Sequence, residues 1–377
     1  MKEIDGILKT LPAVFAVGNN YQIMVPVKER CIMWVSVDGV DYFDSSNGIN
    51  RSEVSVHRVT VPAAVLDRAR KYTIGYRRII DRKPYFPELE EAVYAEYDFK
   101  PVPNDKINIY HIADTHNLIQ APSEAGMYFA NKGETLDLLV LNGDIPDHSG
   151  CVENFDTVYE IVSKLTGGEI PTVFSRGNHD LRGLCAESFA EYTPSERGRS
   201  YYTLRVGPIW AILLDCGEDK DDTHPEYGGT IDCHRFRLSQ TEFVEKVIAD
   251  RKNEYDADGV KYKLVISHVP FSYKLDPPFD IESDVYTEWC RLLRENVRPD
   301  LMLSGHLHAA FAAIPGDEKY DSYGQPCPLV VGSIPYHPNN ERAEGFVGCA
   351  ITLDKKNVKI VFNKNNGEVV GEEVIEL

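Results

Sequence analysis

The stretch TVFSRGNHDLRG, residues 172–183, sets a short β-branched and aromatic run before a glycine and three consecutive polar residues, Asn178, His179 and Asp180. Alone, it reads as a strand ending in an Asx-type turn with a helix cap. Its meaning changes because neighbouring strands end in the same way. From about residue 106 onward, apolar runs alternate with helix-like segments. Candidate strands are INIYHIA (107–113), LDLLVL (136–141), TVFS (172–175), WAILLD (210–215), KLVIS (263–267), LMLS (301–304) and LVVG (329–332). Between them, residues 153–165, 239–251 and 285–296 carry apolar residues at helical spacing, the second with Ser239 and Glu242 in capping-box register. This alternation predicts a layered α/β domain with largely parallel central strands.

In such sheets ligands bind beyond the carboxyl ends of the strands. Asp114-Thr115-His116 follows the first candidate strand, and Asn142-Gly143-Asp144-Ile145-Pro146-Asp147 the second. Arg176-Gly177-Asn178-His179-Asp180 follows the third, His268 ends KLVIS, and Gly305-His306-Leu307-His308 ends LMLS. Five strand ends thus deliver carboxylate, imidazole and amide groups to one rim. The set fits a two-metal site: Asp114, His116 and His308 hold one ion, Asn178, His268 and His306 the other, and Asp144 bridges them. Mixed N/O ligands without thiolate suit Mn, Fe, Zn or Co and argue against a structural zinc site. The glycines before Asp144, Asn178 and His306 are expected to let the backbone turn sharply. Asn178 supplies an amide oxygen without further charge, so His179 is left for the substrate. There it stabilises phosphoryl oxygens or protonates the leaving alkoxide. Asp147 is the first candidate to orient His179, and Asp180 the second.

Residues 1–103 have a different period. Short Val-, Ile- and Tyr-rich runs such as YQIMVPV, CIMWVSV and YTIGYRRI, separated by turn residues, predict an all-β sandwich of immunoglobulin or fibronectin type. KPVPND (100–105) marks the boundary with the second domain, residues 104–377, which ends in β-hairpins turning at Asn366-Gly367.

The chain has 377 residues, 43% of them hydrophobic, and carries 40 Lys and Arg against 59 Asp and Glu, a formal net charge of −19. That balance repels polyanions and argues against nucleic acid as an obligatory partner. The first twenty residues, interrupted by Lys9 and Pro12, make a poor signal peptide. No segment approaches 18 uninterrupted apolar residues, so no membrane partner is expected. Eight scattered cysteines without a CxxC pair read as reduced thiols of a cytoplasmic protein.

The ordered blocks DTH, GDIPD, GNHD, His268 and GHLH resemble the calcineurin-like metallophosphoesterase superfamily across roughly residues 106–353. The resemblance implies a four-layer α/β/β/α sandwich and the ligand set just described. It also implies a metal-bound hydroxide that attacks phosphorus, with His179 as catalytic histidine and Asp147 as its support. A β-sandwich ahead of such a domain resembles the purple acid phosphatase arrangement. That group carries a tyrosine ligand shortly after the GD pair and glycine at the position of His116. Here Ile145-Pro146-Asp147 occupies the first place, so iron–tyrosinate colour is not expected.

The function so implied is a dinuclear metal-dependent phosphohydrolase cleaving phosphate mono- or diesters of a small substrate. A phosphoprotein phosphatase and a non-catalytic metal-binding scaffold are the alternatives. Retention of seven ligands together with His179 weighs against the scaffold. Candidate substrate contacts are Arg176 and Arg182, which flank GNHD, together with His148 and His337. Tyr227 and His224 are further candidates, on the long loop 217–235, whose closely spaced acids are expected to be solvated. His111, inside the first apolar strand, is expected to be a satisfied core histidine.

Overall fold

The computed structural model describes residues 6–335, 345–355 and 357–376. His337, a candidate substrate contact, lies outside them.

Two sheets carry the second half of the chain. Among the described residues the larger has nine strands. They run Val369–Glu376, Asn357–Lys364, Val347–Asp354, Lys106–Ile112, Leu138–Asn142, Pro171–Ser175, Ala13–Val17, Asn20–Pro26 and Val56–Pro62. The four from Lys106–Ile112 to Ala13–Val17 are parallel. The smaller sheet has a parallel centre of Ile209–Leu213, Tyr262–Ile266, Leu301–Ser304 and Leu329–Gly332. Antiparallel strands Tyr202–Val206 and Ala310–Ala313 close its edges.

Continuous apolar runs are what a strand buried on both faces requires, and the core follows from them. Ile109, Val140 and Val173 of the larger sheet meet Leu213, Leu264 and Leu303 of the smaller one. On the outer face of the larger sheet, Ile112, Leu139 and Leu141 pack under the helix Asp156–Thr166 through Val158, Ile161 and Val162. Beyond the smaller sheet, Ile212, Val265 and Met302 meet Val244 of helix Cys233–Ala249 and Trp289 of helix Ser283–Leu292. The result is the expected α/β/β/α stack.

The helix Cys233–Ala249 starts before the predicted capping box, so Ser239 lies inside it and donates back to the Phe236 carbonyl. Its true cap comes from the preceding loop, where the Asp222 carboxylate accepts from the Cys233 and His234 N–H groups.

The N-terminal region is β-rich, but its strands divide between two sheets. AVFAV (13–17), which the periodicity of the region did not single out, is an interior strand. Its backbone pairs with the GNHD strand in the register Val14↔Pro171 and Phe15↔Thr172. Phe15 faces the helical layer while Val14 and Ala16 face the opposite core. Strands Asn20–Pro26 and Val56–Pro62 extend the same sheet outward. The sandwich is completed by a separate sheet of Val93–Asp98, Lys71–Asp81, Cys31–Val37 and Val40–Phe43. It presses Met33, Val35, Tyr72 and Ile74 onto Ile23, Val25, Val59 and Val61. Hydrogen bonding therefore crosses the sequence boundary at residue 103. The C-terminal strands form the expected antiparallel hairpins, with Gly367 at φ +88° in the last turn.

Candidate metal centre

The five strand ends converge as their sequence predicts. Asp114, His116, Asp144, His306 and His308 all adopt positive φ, between +44° and +67°. Non-glycine residues held in that region cost of order 1–3 kcal/mol each, a cost the surrounding fold must sustain. The preceding glycines act for different reasons. Gly143 has positive φ and turns the chain. Gly177 instead permits close approach, because a Cβ there would drive into the Asp144 carboxylate and backbone N–H.

Asp114 and Asp144 are buried. Asp114 accepts the His306 N–H at 3.0 Å from each carboxylate oxygen. Asp144 Oδ1 accepts the His179 N–H at 2.9 Å, and its Oδ2 lies 3.1 Å from His268 Nε2. His268 donates from Nδ1 to the Asn142 carbonyl over 2.6 Å, which fixes its tautomer and leaves Nε2 between the two carboxylates. His116 Nε2 and His308 Nε2 face each other across 3.2 Å, while His116 Nδ1 is held by Asp147 Oδ1 at 3.1 Å. Asn178 Oδ1 meets His306 Nδ1 at 3.0 Å.

This donor set fits metal ions. Asp114, His116 and His308 bring their ligand atoms within 4.8 Å of one another, as do Asp114, Asp144 and His268. His268 Nε2 is buried and has no aligned hydrogen-bond partner. Two of the candidate ligands, His116 and His268, are steadied at their far nitrogen by a carboxylate and a carbonyl, the arrangement that orients metal-bound histidine.

Charges within the cluster act strongly on one another. Burial alone would lower the pKa of His268, but the Asp144 and Asp114 carboxylates overcome it and raise it. Burial works to raise Asp144, yet His268, His179 and His116 hold it well below the usual carboxylate range. Burial raises Asp114, with Asp144 adding to the effect. Burial pushes His308 down to about 4 and lowers His116 as well, so both present neutral nitrogens suited to a metal.

A profile of the calcineurin-like phosphoesterase domain matches residues 107–310, more than half of the chain. The chain belongs to the calcineurin-like phosphoesterase family. It is a phosphate ester hydrolase by that membership, and every ligand named above falls inside the matched segment. A search of curated proteins gives no match. Among solved structures, purple acid phosphatase PPD1 from yellow lupin (Lupinus luteus) seeds shares the fold with a TM-score of 0.62 at 14% identity, covering 100% of this chain and 76% of that one. GAP50 of Plasmodium, described as the anchor in the inner membrane complex, aligns with a TM-score of 0.46 at 12% identity over 72% of this chain and 89% of its own. TT1561 of Thermus thermophilus aligns with a TM-score of 0.36 at 12% identity over 72% and 98%.

The catalytic histidine of the family pattern, His179, sits beside the ligands, its ring 4.7 Å from that of His116. Its support differs from expectation. His179 Nδ1 bonds the backbone carbonyl of Asp147 at 2.8 Å, whereas the Asp147 carboxylate is 3.9 Å away and turned to His116. Asp180 is buried and accepts from the Gly177 N–H. A carbonyl can only accept, so Nδ1 of His179 carries the hydrogen and Nε2 is the free edge. That edge receives Arg182 Nη1 at 3.1 Å.

The remaining candidates separate. Arg182 reaches the site, gripped by Glu218 through two bonds of 2.8 Å. Tyr227 supports it indirectly, donating toward Glu218 at 3.2 Å and Asp219 at 3.1 Å. Glu218 and Asp219 are only 1% and 9% exposed and Asp222 caps the helix Cys233–Ala249, so these acids, expected to be solvated, are structural. Arg176 turns to Asp215 at 2.6 Å and stacks against Phe189 and Phe236. His148 closes its own turn, accepting from the Gly150 N–H at 2.9 Å. His224 accepts from the Glu226 N–H within the loop.

Asn142 was missed. Its carbonyl orients His268, its side chain donates to His111 Nε2 and to the Leu303 carbonyl at 3.0 Å each, and Ser175 donates to its Oδ1 at 2.5 Å. A polar residue closing an apolar strand before Gly143-Asp144 was the available signal. His111 is buried as expected but only half satisfied: Nε2 is paired, whereas Nδ1 has no partner among the described residues.

Proposed function

We propose that the protein is a dinuclear metal-dependent phosphohydrolase cleaving small phosphate mono- or diesters. The observation that carries this reading is the junction at Asp144. One carboxylate faces His268 while accepting the N–H of His179, so ligand and catalytic groups share one rigid anchor. Two transition ions such as Mn, Fe or Zn would bind phosphoryl oxygens and lower the pKa of a coordinated water.

This chain's own residues supply the rest. His268 and His116 are pre-oriented by the Asn142 carbonyl and the Asp147 carboxylate. His179 is held by Nδ1–H, so Nε2 is the titrating atom: only when it has taken up a proton from solvent, with Arg182 turned aside, can it deliver that proton to the departing alkoxide oxygen. Arg182, its charge balanced by Glu218, places an N–H donor at Nε2 of His179. The acidic charge of the chain favours a small phosphorylated substrate over nucleic acid. Eight free cysteines, six of them buried, support a reducing compartment such as the cytoplasm. Among the described residues no helix is long and apolar enough to cross a membrane.

The test is hydrolysis of p-nitrophenyl phosphate and bis-p-nitrophenyl phosphate by metal-stripped protein resupplied separately with Mn, Zn, Fe, Co or Ni. Turnover restored by metal and lost in His179→Ala supports the reading. Failure of every metal and both esters refutes it.

A further inference from the structure

On the far side of Arg182 from His179 lies a cavity of about 410 Å³, not lined by His179 itself, whose walls include Leu181, Leu184 and Ile231 on an apolar side and Glu187, Glu226 and Arg182 on a charged one. Arg182 connects this space to the chemistry, since its guanidinium both lines the cavity and touches His179 Nε2 at 3.1 Å. In the phosphohydrolase reading, on which the present inference rests, Nε2 faces the leaving oxygen. On that reading the alcohol part of the ester would extend past Arg182 toward the cavity.

The lining decides what alcohol fits. Glu218 consumes the charge of Arg182 through its two 2.8 Å bonds, and Lys220 answers Glu226 over 3.0 Å. Glu187 is exposed at the wall and forms no ion pair among the described residues, and Glu218 itself also lines the space. With Arg182 answered by Glu218 and Glu226 by Lys220, Glu187 is the uncompensated charge at the wall and leaves the lining net negative. Leu184 is 92% exposed, an apolar surface left open at the same wall. Such a lining attracts a cation on an apolar stem and repels a carboxylate or a second phosphate.

We propose that this cavity is the leaving-group subsite and that it selects phosphate esters of cationic, amine-type alcohols over those of anionic alcohols. The test compares kcat/KM of the metal-loaded enzyme on choline phosphate, glycerol 2-phosphate and 3-phosphoglycerate, each as monoester and as methyl diester. p-Nitrophenyl phosphate and its bis ester serve as references, and measurements are made at low and at high salt. The expected order is choline, glycerol, glycerate, with at least a tenfold span that shrinks at high salt. Glu187→Lys is expected to shrink the choline-to-glycerate ratio at least fivefold.

A ratio near one or a reversed order in the wild-type enzyme overturns the proposal, as does an unchanged ratio in Glu187→Lys. So does failure to cleave any of the three by an enzyme that turns over the p-nitrophenyl esters. If the p-nitrophenyl esters themselves are not cleaved, the phosphohydrolase reading falls and takes this proposal with it, so the two failures are distinguishable. The wild-type comparison stands even if the variant fails to fold.

Discussion

Arg182 donates to Nε2 of His179 across 3.1 Å while Glu218, only 1% exposed, grips the same guanidinium at both Nε and Nη2. His179 is thus tied to the loop 217–235 through one arginine. Removing either partner leaves the other charge uncompensated, and this is costlier for buried Glu218. Arg182→Met is expected to destabilise the fold by about 2 kcal/mol, below the range for fully buried pairs because Arg182 is partly exposed. It should also lower kcat at least tenfold. Arg182→Lys keeps the charge but loses the fork, and should recover stability only in part. Urea denaturation and steady-state kinetics on both variants check this. Wild-type stability in Arg182→Met would contradict it.

Asp147 reaches His179 through its carbonyl and His116 through its carboxylate. Asp147→Asn therefore leaves the His179 hydrogen bond in place and disturbs the ligand. Such outer partners typically change metal affinity by about 10–100-fold. Metal titration should show weakening of that size, with activity largely recovered at saturating metal. A loss of kcat that excess metal does not repair would show that the carboxylate serves His179.

Gly177 has no room for a side chain beside Asp144. Gly177→Ala must displace the Asp144 carboxylate or the GNHD turn. Activity should fall at least about 100-fold, consistent with the sensitivity of such sites to displacements of ~1 Å. Bound metal should fall with it while the circular dichroism stays native. Full metal content with normal turnover would show that the site can relax.

Burial, with a smaller contribution from His268, pushes His111 down to about 3, against about 6.5 for an unperturbed histidine. The folded protein thus holds a neutral ring. Above pH 6.5 neither folded nor unfolded chain is protonated there, and His111 contributes no pH dependence. Below it the unfolded chain gains a proton the folded one refuses, so stability falls from pH 6.5 toward 3. The slope approaches ~1.4 kcal/mol per pH unit. Urea midpoints at pH 7.5 and 5 should differ more for wild type than for His111→Gln. An identical difference in both would contradict the assignment.

The clustering of the candidate ligands was legible because each closely follows an apolar strand, and a parallel sheet carries all such ends to one edge. His179 was legible for the same reason. Its partner was not: the pattern names Asp147, but only the turn shows that the main-chain carbonyl faces Nδ1. Glu218 looked like one of several solvated acids because its burial depends on Arg182 arriving from a distant strand end. Ala13–Val17 escaped the reading because five apolar residues cannot announce a partner as remote as Pro171. Its pairing is what joins the N-terminal strands to the larger sheet.

The central claim is that one cluster anchored on Asp144 holds the metal on which hydrolysis depends. Elemental analysis and p-nitrophenyl ester turnover on the same preparations of wild type and Asp144→Asn test it most directly. The account predicts two ions per wild-type chain, at most one in the variant, and turnover at least 1,000-fold lower, about 4 kcal/mol of lost transition-state stabilisation. Two ions and near wild-type turnover in Asp144→Asn, or wild-type turnover that survives complete removal of metal, would contradict it.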